Sequence, residues 1–428
     1  MKGRKRSSET AWTAQKACQE EEKMIQTAVL GYGTVGSGVV KVIETNHDSI
    51  EKKAGVDLGV KYVLDLRDFP GDPVQKKIVH DFDVILSDPE IRIVVETMGG
   101  LEPAYTFTKK ALEAGKSVCT SNKELVARHG TELLQTAREH NASYMFEASC
   151  GGGIPIIRPL RTCLCADVID EITGILNGTT NYILTKMIEE GREFSDVLRE
   201  AQQKGYAERN PEADVEGHDA CRKIAILSSL AYGKRVDFTD VYTEGITKIT
   251  PADIQYAKAM GRTIKLLAFS KKEGEQVTAM VAPYLVDKED PLASVNGVFN
   301  AIFVHGNMLG DAMFYGQGAG KEATASAVVA DVIEEAQVLG RSVMSSWDPE
   351  KLVLTDVSGT EKQFFVRAKG EASEAEKVFG PVKLVQAGLE GEYGFVTERM
   401  SEGAFLKKAG EFGAMISMLR LRDKSKAE

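Results

Sequence analysis

The stretch that most narrows the fold is Gly31-Tyr32-Gly33-Thr34-Val35-Gly36, because of what flanks it. Residues 25–30 before it form a short β-rich apolar run, and residues 39–43 after it repeat with helical spacing. A strand that enters a glycine-rich turn and leaves it as a helix is a dinucleotide-binding fingerprint. The first glycine makes the tight turn, the next lets the backbone close on a pyrophosphate, and the helix N-terminus carries the positive end of the helix dipole. Gly31, Gly33, Thr34, Val35 and Gly36 are therefore the candidate pyrophosphate-binding residues.

The alternation of strand, turn and helix continues. A second strand over 60–66 runs into Arg67 and Asp68. An acid at such a strand end hydrogen-bonds the ribose hydroxyls of NAD, whereas an arginine pairs with the 2′-phosphate of NADP. Asp65 and Asp68 flank Arg67, so both cofactors stay open, with Arg67 at the expected strand end favouring NADP. A buried strand over 91–95 closes on Glu96-Thr97-Met98-Gly99-Gly100, a helix over 104–114 stops at Gly115, and a strand over 117–120 precedes Ser121-Asn122-Lys123. Ligands of open α/β sheets bind beyond the carboxyl ends of the strands, so Gly99 and Lys123 are expected to face the crevice. A strand over 144–147 then leads to Gly151-Gly152-Gly153, where something must approach the backbone closely; a cation held by carbonyls and the Glu147 carboxylate is one candidate.

Composition sets limits on the rest. A chain of 428 residues with 43% hydrophobic and 27% charged residues has enough length for about three domains. Its net charge of −10 argues against nucleic acid or an anionic membrane surface as the main partner. The six cysteines include no C-x-x-C pair, which reads as reduced thiols in a cytoplasmic protein. No apolar run has a membrane-spanning length. Residues 1–23 are polar and read as a disordered extension ahead of Met24.

The middle of the chain changes character. Residues 169–176 alternate like a strand, and Asn177-Gly178-Thr179-Thr180-Asn181 caps a helix over 182–190, with or without an anionic ligand at its start. Residues 205–223, GYAERNPEADVEGHDACRK, gather Glu208, Glu212, Asp214, Glu216 and Asp219, followed four positions later by Lys223. That spacing puts Asp219 and Lys223 on one helical face. An ordinary surface ion pair has the same pattern, but the apolar run over 224–230 puts this one at the mouth of a buried helix.

The motifs GYGTVG, ETMGG, SNK, FEASCGGGIPII, GILNGTTNYIL, GYAERNPEADVEGHDACRK and YGQGAGKEATASAVVAD occur in the order seen in homoserine dehydrogenases, and the chain resembles that family over about 24–345. The resemblance implies hydride transfer between NAD(P)H and L-aspartate 4-semialdehyde, giving L-homoserine on the route to threonine and methionine. It implies Lys223 as proton donor, Lys123 as the lysine near the nicotinamide, and Asp219 as the orienting carboxylate. Glu208 and Asp214 would hold the substrate's amino group, with the backbone of Gly178 and Thr179 also meeting substrate. Arg67, Met98, Gly99 and Gly320 would join the glycine turn in binding cofactor. Glu147 with the carbonyls of Cys150, Gly152 and Ile154 would hold a monovalent cation, sodium, in a structural role; Cys150 stands where valine is usual. Gln317 replaces a more usual proline in the loop that reaches Gly320. Glu212, Glu216 and His218 are taken as solvated neighbours.

The expected fold is therefore α/β. A Rossmann-type domain covers 24–150 and is completed by 316–345; a mixed α+β catalytic and dimerisation domain covers 151–315. Strands over 363–367, 382–386, 393–397 and 414–421 with helices over 371–379 and 402–411 make a ferredoxin-like βαββαβ module over 355–428. It resembles the ACT modules that sense threonine in this family, although Ala368-Lys369-Gly370-Glu371 lacks their usual Asp-x-Pro-Gly turn. Another NAD(P)-dependent aldehyde or amino-acid dehydrogenase is the alternative. A semialdehyde dehydrogenase of that kind needs a nucleophilic cysteine at a helix N-terminus, and neither Cys150 nor Cys221 has that context. A non-catalytic nucleotide-binding regulator would not need Lys123, Glu208, Asp219 and Lys223 together.

Overall fold

The computed structural model describes residues 24–342 and 344–423, so the extension expected over 1–23 lies outside the described residues. The chain forms two compact units. Of the described residues, one comprises 24–122, 132–146 and 324–344; the other comprises 123–131, 147–323 and 345–423.

The first unit is built on six strands: β1 (Ile25–Leu30), β2 (Leu58–Leu64), β3 (Ile78–Val79), β4 (Ile91–Glu96), β5 (Ser117–Thr120) and β6 (Tyr144–Met145). They pair in parallel in the order β3-β2-β1-β4-β5-β6. This is the doubly wound order whose direction reverses between β1 and β4, the position that opens a crevice at the carboxyl ends. Helix α1 (Thr34–Thr45) buries Gly36, Val39, Val40 and Ile43, a run at the three- and four-residue spacing of one helical face. Gly36 lets that face sit on β1: a Cβ there would lie 1.9 Å from the Gly31 carbonyl oxygen and 2.7 Å from Thr97 Oγ1. Helix Lys321–Gln337 is fastened within this unit by Glu335, whose buried carboxylate accepts from Ser117 Oγ at 2.5 Å.

β2 stops at Leu64, two residues before the expected end. The Asp65 carboxylate accepts from the Tyr32 and Arg67 backbone N–H groups at 2.8 and 3.0 Å, which turns the chain out of the sheet and leaves Leu66 93% exposed. The strand expected over 144–147 is likewise shorter, giving way at Glu147 to a 3₁₀ turn over Glu147–Ser149.

The second unit holds one ten-stranded sheet. Its strands are β7 (Ile169–Ile175), β8 (Tyr242–Thr243), β9 (Arg262–Glu273), β10 (Gln276–Asp287), β11 (Phe299–Gly306), β12 (Gly310–Gln317), β13 (Phe364–Ala368), β14 (Val382–Val385), β15 (Tyr393–Thr397) and β16 (Met415–Leu421). They run in the order β12-β11-β7-β9-β10-β16-β13-β15-β14, with β8 beside β10. The C-terminal strands β13 to β16, with helices Ala372–Phe379 and Glu402–Glu411, form an antiparallel split βαβ pattern over a core of Phe364, Phe379, Phe395, Phe405 and Phe412. This segment is not hung on a linker. β16 pairs in parallel with β10, Tyr284 opposite Arg420 and Leu285 opposite Leu421, so the sheet is continuous. Among the described residues no helix is long and apolar enough to cross a membrane.

Candidate active site

In the first unit the carboxyl ends of β1, β2 and β4 carry the glycine turn and the residues around it. Gly31 has φ +91°, and a side chain on Gly33 would meet no atom within 4 Å, which leaves the turn's backbone open to a ligand. Gly99 and Gly100 at the end of β4 also take positive φ and face open space. Beneath them the fully buried Glu96 carboxylate accepts from Met98 N at 2.7 Å and Thr120 Oγ1 at 2.6 Å, while Asn122 Nδ2 donates to the Gly100 carbonyl at 2.6 Å. Burial pushes the Glu96 carboxyl up against those donors, which favour the charged form. Arg67 is not at the strand tip. Its guanidinium folds back on Asp65 at 2.9 and 3.0 Å and lies 5.1 Å from the Phe69 ring, and this pairing holds the Asp65 carboxyl well below the usual range. These residues fit a dinucleotide: an open glycine turn at a helix start, and a cation beside the end of β2.

In the second unit the acid-rich stretch resolves into a short helix α2 (Glu212–Val215) and a long one, α3 (His218–Tyr232). Gly217 between them has φ +83°, and burial of Ala220, Cys221 and every residue from Lys223 to Ser229 sinks α3 in the core. Asp219, in its first turn, is 3% exposed. Its Oδ2 lies 2.7 Å from Lys223 Nζ, one turn on, and its Oδ1 lies 2.7 Å from Nζ of Lys123, the first residue of helix Lys123–Glu139. The Lys123 contact lies off the direction a hydrogen bond prefers, so it acts as a charge pair. Burial by itself would raise the Asp219 carboxyl, but the two ammonium groups more than offset it and hold it well below the usual range. Asp219 in turn raises Lys123 against its own desolvation.

Asn177, the residue closing β7, completes the cluster. Its Nδ2 donates to Asp214 Oδ1 at 2.8 Å and to Asp219 Oδ2 at 3.0 Å, while its Oδ1 accepts from Thr180 N at 2.8 Å and so caps helix α4 (Gly178–Glu190). The helix thus begins four residues earlier than expected. Lys223 Nζ also donates to the Leu176 carbonyl at 2.6 Å. Burial, followed by the Asp219 charge, pushes the Asp214 carboxyl above its ordinary value. Asn177 and the Leu176 carbonyl escape sequence reasoning because capping accounts for an asparagine at that place, and a backbone oxygen has no signature.

The remaining candidates lie outside this hydrogen-bonded cluster. Glu208 lies on the exposed loop, where its backbone carbonyl accepts from Gln202 Nε2 at 3.0 Å, and its carboxylate has no ion-pair partner among the described residues. Thr179 Oγ1 ties that loop to α4 by donating to the Tyr206 carbonyl at 2.6 Å, and Gly178 packs where a Cβ would meet the Val298 oxygen at 2.8 Å. Glu216 is not merely solvated: its Oε1 accepts from Thr247 Oγ1 at 2.9 Å, whereas Glu212 and His218 are exposed. The approach to the glycine triplet comes from the chain itself. A Cβ on Gly152 would lie 2.2 Å from the Gly318 oxygen, and one on Gly153 would lie 2.9 Å from Ala323 Cβ. The Glu147 carboxylate accepts from the N–H groups of Ile156, Ile157 and Arg158 at 2.5, 2.8 and 2.7 Å, capping the short helix Ile157–Thr162. The turn's Gly151 carbonyl accepts from Ile154 N at 2.9 Å. Cys150 is fully buried and its thiol is pushed up to about 12 by that burial, so it is no thiolate nucleophile near neutral pH.

Comparison with known proteins adds an independent line. The family model for homoserine dehydrogenase matches residues 155–333, and that for the homoserine dehydrogenase NAD-binding domain matches residues 31–147. A homoserine dehydrogenase of Synechocystis sp. is 46% identical over 319 residues, covering 72% of each chain. The crystal structure of a homoserine dehydrogenase from Thiobacillus denitrificans superposes with a TM-score of 0.86 at 33% identity, over 94% of this chain and 99% of that one. A hyperthermophilic archaeal homoserine dehydrogenase in complex with NADPH superposes with a TM-score of 0.63 at 29% identity, over 74% of this chain and 98% of that one.

Proposed function

The chain belongs to the homoserine dehydrogenases, nicotinamide-dependent oxidoreductases, and from that premise we propose how its own residues divide the reaction. Lys223 is the proton donor to the aldehyde oxygen of L-aspartate 4-semialdehyde and, in reverse, takes the hydroxyl proton of L-homoserine. A bound nicotinamide cofactor supplies or accepts the hydride at the same carbon. The Lys123 ammonium steadies the developing alkoxide, and Asp219 orients both lysines. The observation that carries this reading is the placing of one buried carboxylate 2.7 Å from each of two lysines.

Asp214, with Glu208 on its exposed loop, holds the substrate's α-ammonium, and the backbone of Gly178 and Thr179 lines the same end. The raised Asp214 carboxyl has a consequence for pH. Its ionised form binds the ammonium, so the grip weakens at a pH higher than an ordinary aspartate would require, while Asp219 stays charged. KM for L-homoserine should therefore rise in mild acid. Asp214→Asn should raise it about tenfold at neutral pH and flatten its pH dependence; a variant that keeps the wild-type KM profile removes Asp214 from this role.

Gly31, Gly33, Thr34, Val35, Gly36, Met98, Gly99, Lys123 and Gly320 are the proposed cofactor contacts, with Arg67 taking a 2′-phosphate and so favouring NADP. The test is oxidation of L-homoserine with NADP⁺ and with NAD⁺. Arg67→Ala should raise KM for NADP⁺ about tenfold and leave that for NAD⁺ unchanged; equal effects on both overturn the preference. Glu147, Cys150, Gly152 and Ile154 are proposed to hold sodium as a structural ion. The order of the C-terminal elements supports an ACT-like module, for which L-threonine is the proposed effector, and a cytoplasmic homodimer or higher homo-oligomer is the proposed assembly. The same assay, run with millimolar L-threonine and with sodium exchanged for a bulky organic cation, reads the effector and the ion.

A further inference from the structure

The largest fully buried side chain of the described residues is Arg420, in the last strand, and the proposed catalytic roles leave it unused. It is 1% exposed, donates from Nε to both Glu402 carboxylate oxygens at 2.9 and 3.1 Å, and donates from Nη1 to Glu244 Oε2 at 2.7 Å. Its guanidinium lies 5.4 Å from the Tyr242 ring. Tyr242 and Glu244 belong to a strap over 242–247 that leaves β8 and crosses the turn between α2 and α3, the turn bounded by Asp214 and Asp219.

The contact between strap and turn is backbone on backbone. Ile246 N donates to the Val215 carbonyl at 2.8 Å, and a Cβ on Gly245 would lie 2.2 Å from that same oxygen and 2.4 Å from Glu216 Cα. Thr247 Oγ1 adds its bond to Glu216, and Gly217 sits where a Cβ would be 3.2 Å from Thr243 Cγ2 and 3.1 Å from Val281 Cγ1. Because the closest approach, Gly245 to the Val215 oxygen and Glu216 Cα, is backbone on backbone, a shift of the strap must be matched by the turn: a close-packed contact has no slack. The strap's far side is held by a buried guanidinium shared between two carboxylates, a geometry that fixes position through its planar fork.

We propose that Arg420 is a positioning residue for the amino-acid half of the active site: through Glu244 and the Gly245 contact, the last strand sets where Asp214 and Asp219 stand. The inference rests on the roles proposed for those two acids. It gives the C-terminal segment a part in catalysis that needs no effector, and it explains why the segment is joined to β10 as sheet.

The test uses the full chain and compares Tm with kcat and KM for L-homoserine and NADP⁺, measured well below Tm. Glu244→Gln removes the charge facing Arg420 at a half-buried site, and Gly245→Ala wedges the strap from the turn. Each is expected to raise KM for L-homoserine about tenfold with KM for NADP⁺ within about twofold, since small misplacements of binding groups cost that much or more. Arg420→Lys should fall between wild type and Arg420→Met, and Glu244→Gln should add little to Arg420→Met, as members of one network do. A lowered Tm with unchanged KM for L-homoserine in Glu244→Gln and Gly245→Ala means a purely structural role and overturns the proposal. These two variants decide the matter even where Arg420→Met does not fold. Asp219→Asn is the control: full activity there removes the catalytic reading itself, whereas lost activity there beside wild-type strap variants removes the strap alone.

Discussion

Lys223→Ala should lower kcat for L-homoserine oxidation by about 10²–10⁴-fold, the usual worth of a positioned proton-transfer group, with the Kd for NADP⁺ within about twofold of wild type. The geometry sets both halves of that expectation. Lys223 Nζ is fixed by two oxygens, Asp219 Oδ2 at 2.7 Å and the Leu176 carbonyl at 2.6 Å, and the side chain is 8% exposed, so water cannot readily stand in at the same point. The glycine turn lies in the other compact unit, which the substitution does not touch. Truncation also leaves the Leu176 oxygen without this donor, a loss of about 1–3 kcal/mol that a fall in Tm would register. Lys223→Arg keeps the charge but holds its protons too tightly to transfer one, and it should stay close to the alanine variant in kcat. A Lys223→Ala enzyme with near-normal turnover would end the assignment.

How much of this was open to sequence reasoning depended on distance along the chain. The glycine turn and α1 were legible because strand, turn and helix are consecutive and the buried positions of α1 repeat every three to four residues. The boundary of β2 was not: Leu64-Asp65-Leu66 alternates like a strand, and only the hydrogen bond from Tyr32, a long-range partner, shows that Asp65 turns the chain away. The pairing of Asp219 with Lys223 follows from one helical turn, but its pairing with Lys123 spans the sequence, and neither local spacing nor the family resemblance led to it. The glycine triplet signalled a close approach without naming the visitor, which proved to be the chain's own Gly318 and Ala323. Glu216 was read as a solvated charge and nothing singled out Arg420, because their partners, Thr247, Glu244 and Glu402, lie in other elements. The C-terminal strands were legible as a module through local periodicity; the β10–β16 pairing that joins them to the sheet was not, because no local pattern encodes a partner so far away.

Asp219→Asn should be nearly as damaging as loss of Lys223, and by a different route that pH can expose. The substitution keeps the shape and removes the one negative charge that faces two ammonium groups at 2.7 Å. Breaking a buried pair in this way costs about 3–5 kcal/mol, so Tm should fall. Because the native Asp219 carboxyl is held well below the ordinary value of about 3.9, its contribution to stability is present above that value and is lost as pH falls below it. The wild-type advantage in Tm over Asp219→Asn should therefore be full at neutral pH and shrink in acid. The catalytic effect runs the other way along the pH scale. Asp219 is the main influence raising Lys123, and without it desolvation and the nearby Arg222 charge both favour loss of a proton. Aldehyde reduction needs a protonated lysine, so its alkaline limb should move to lower pH in the variant, together with a kcat lowered about a hundredfold through lost orientation. A variant with reduced Tm and an unmoved alkaline limb would make Asp219 a structural acid and leave Lys223 to be oriented by the Leu176 carbonyl.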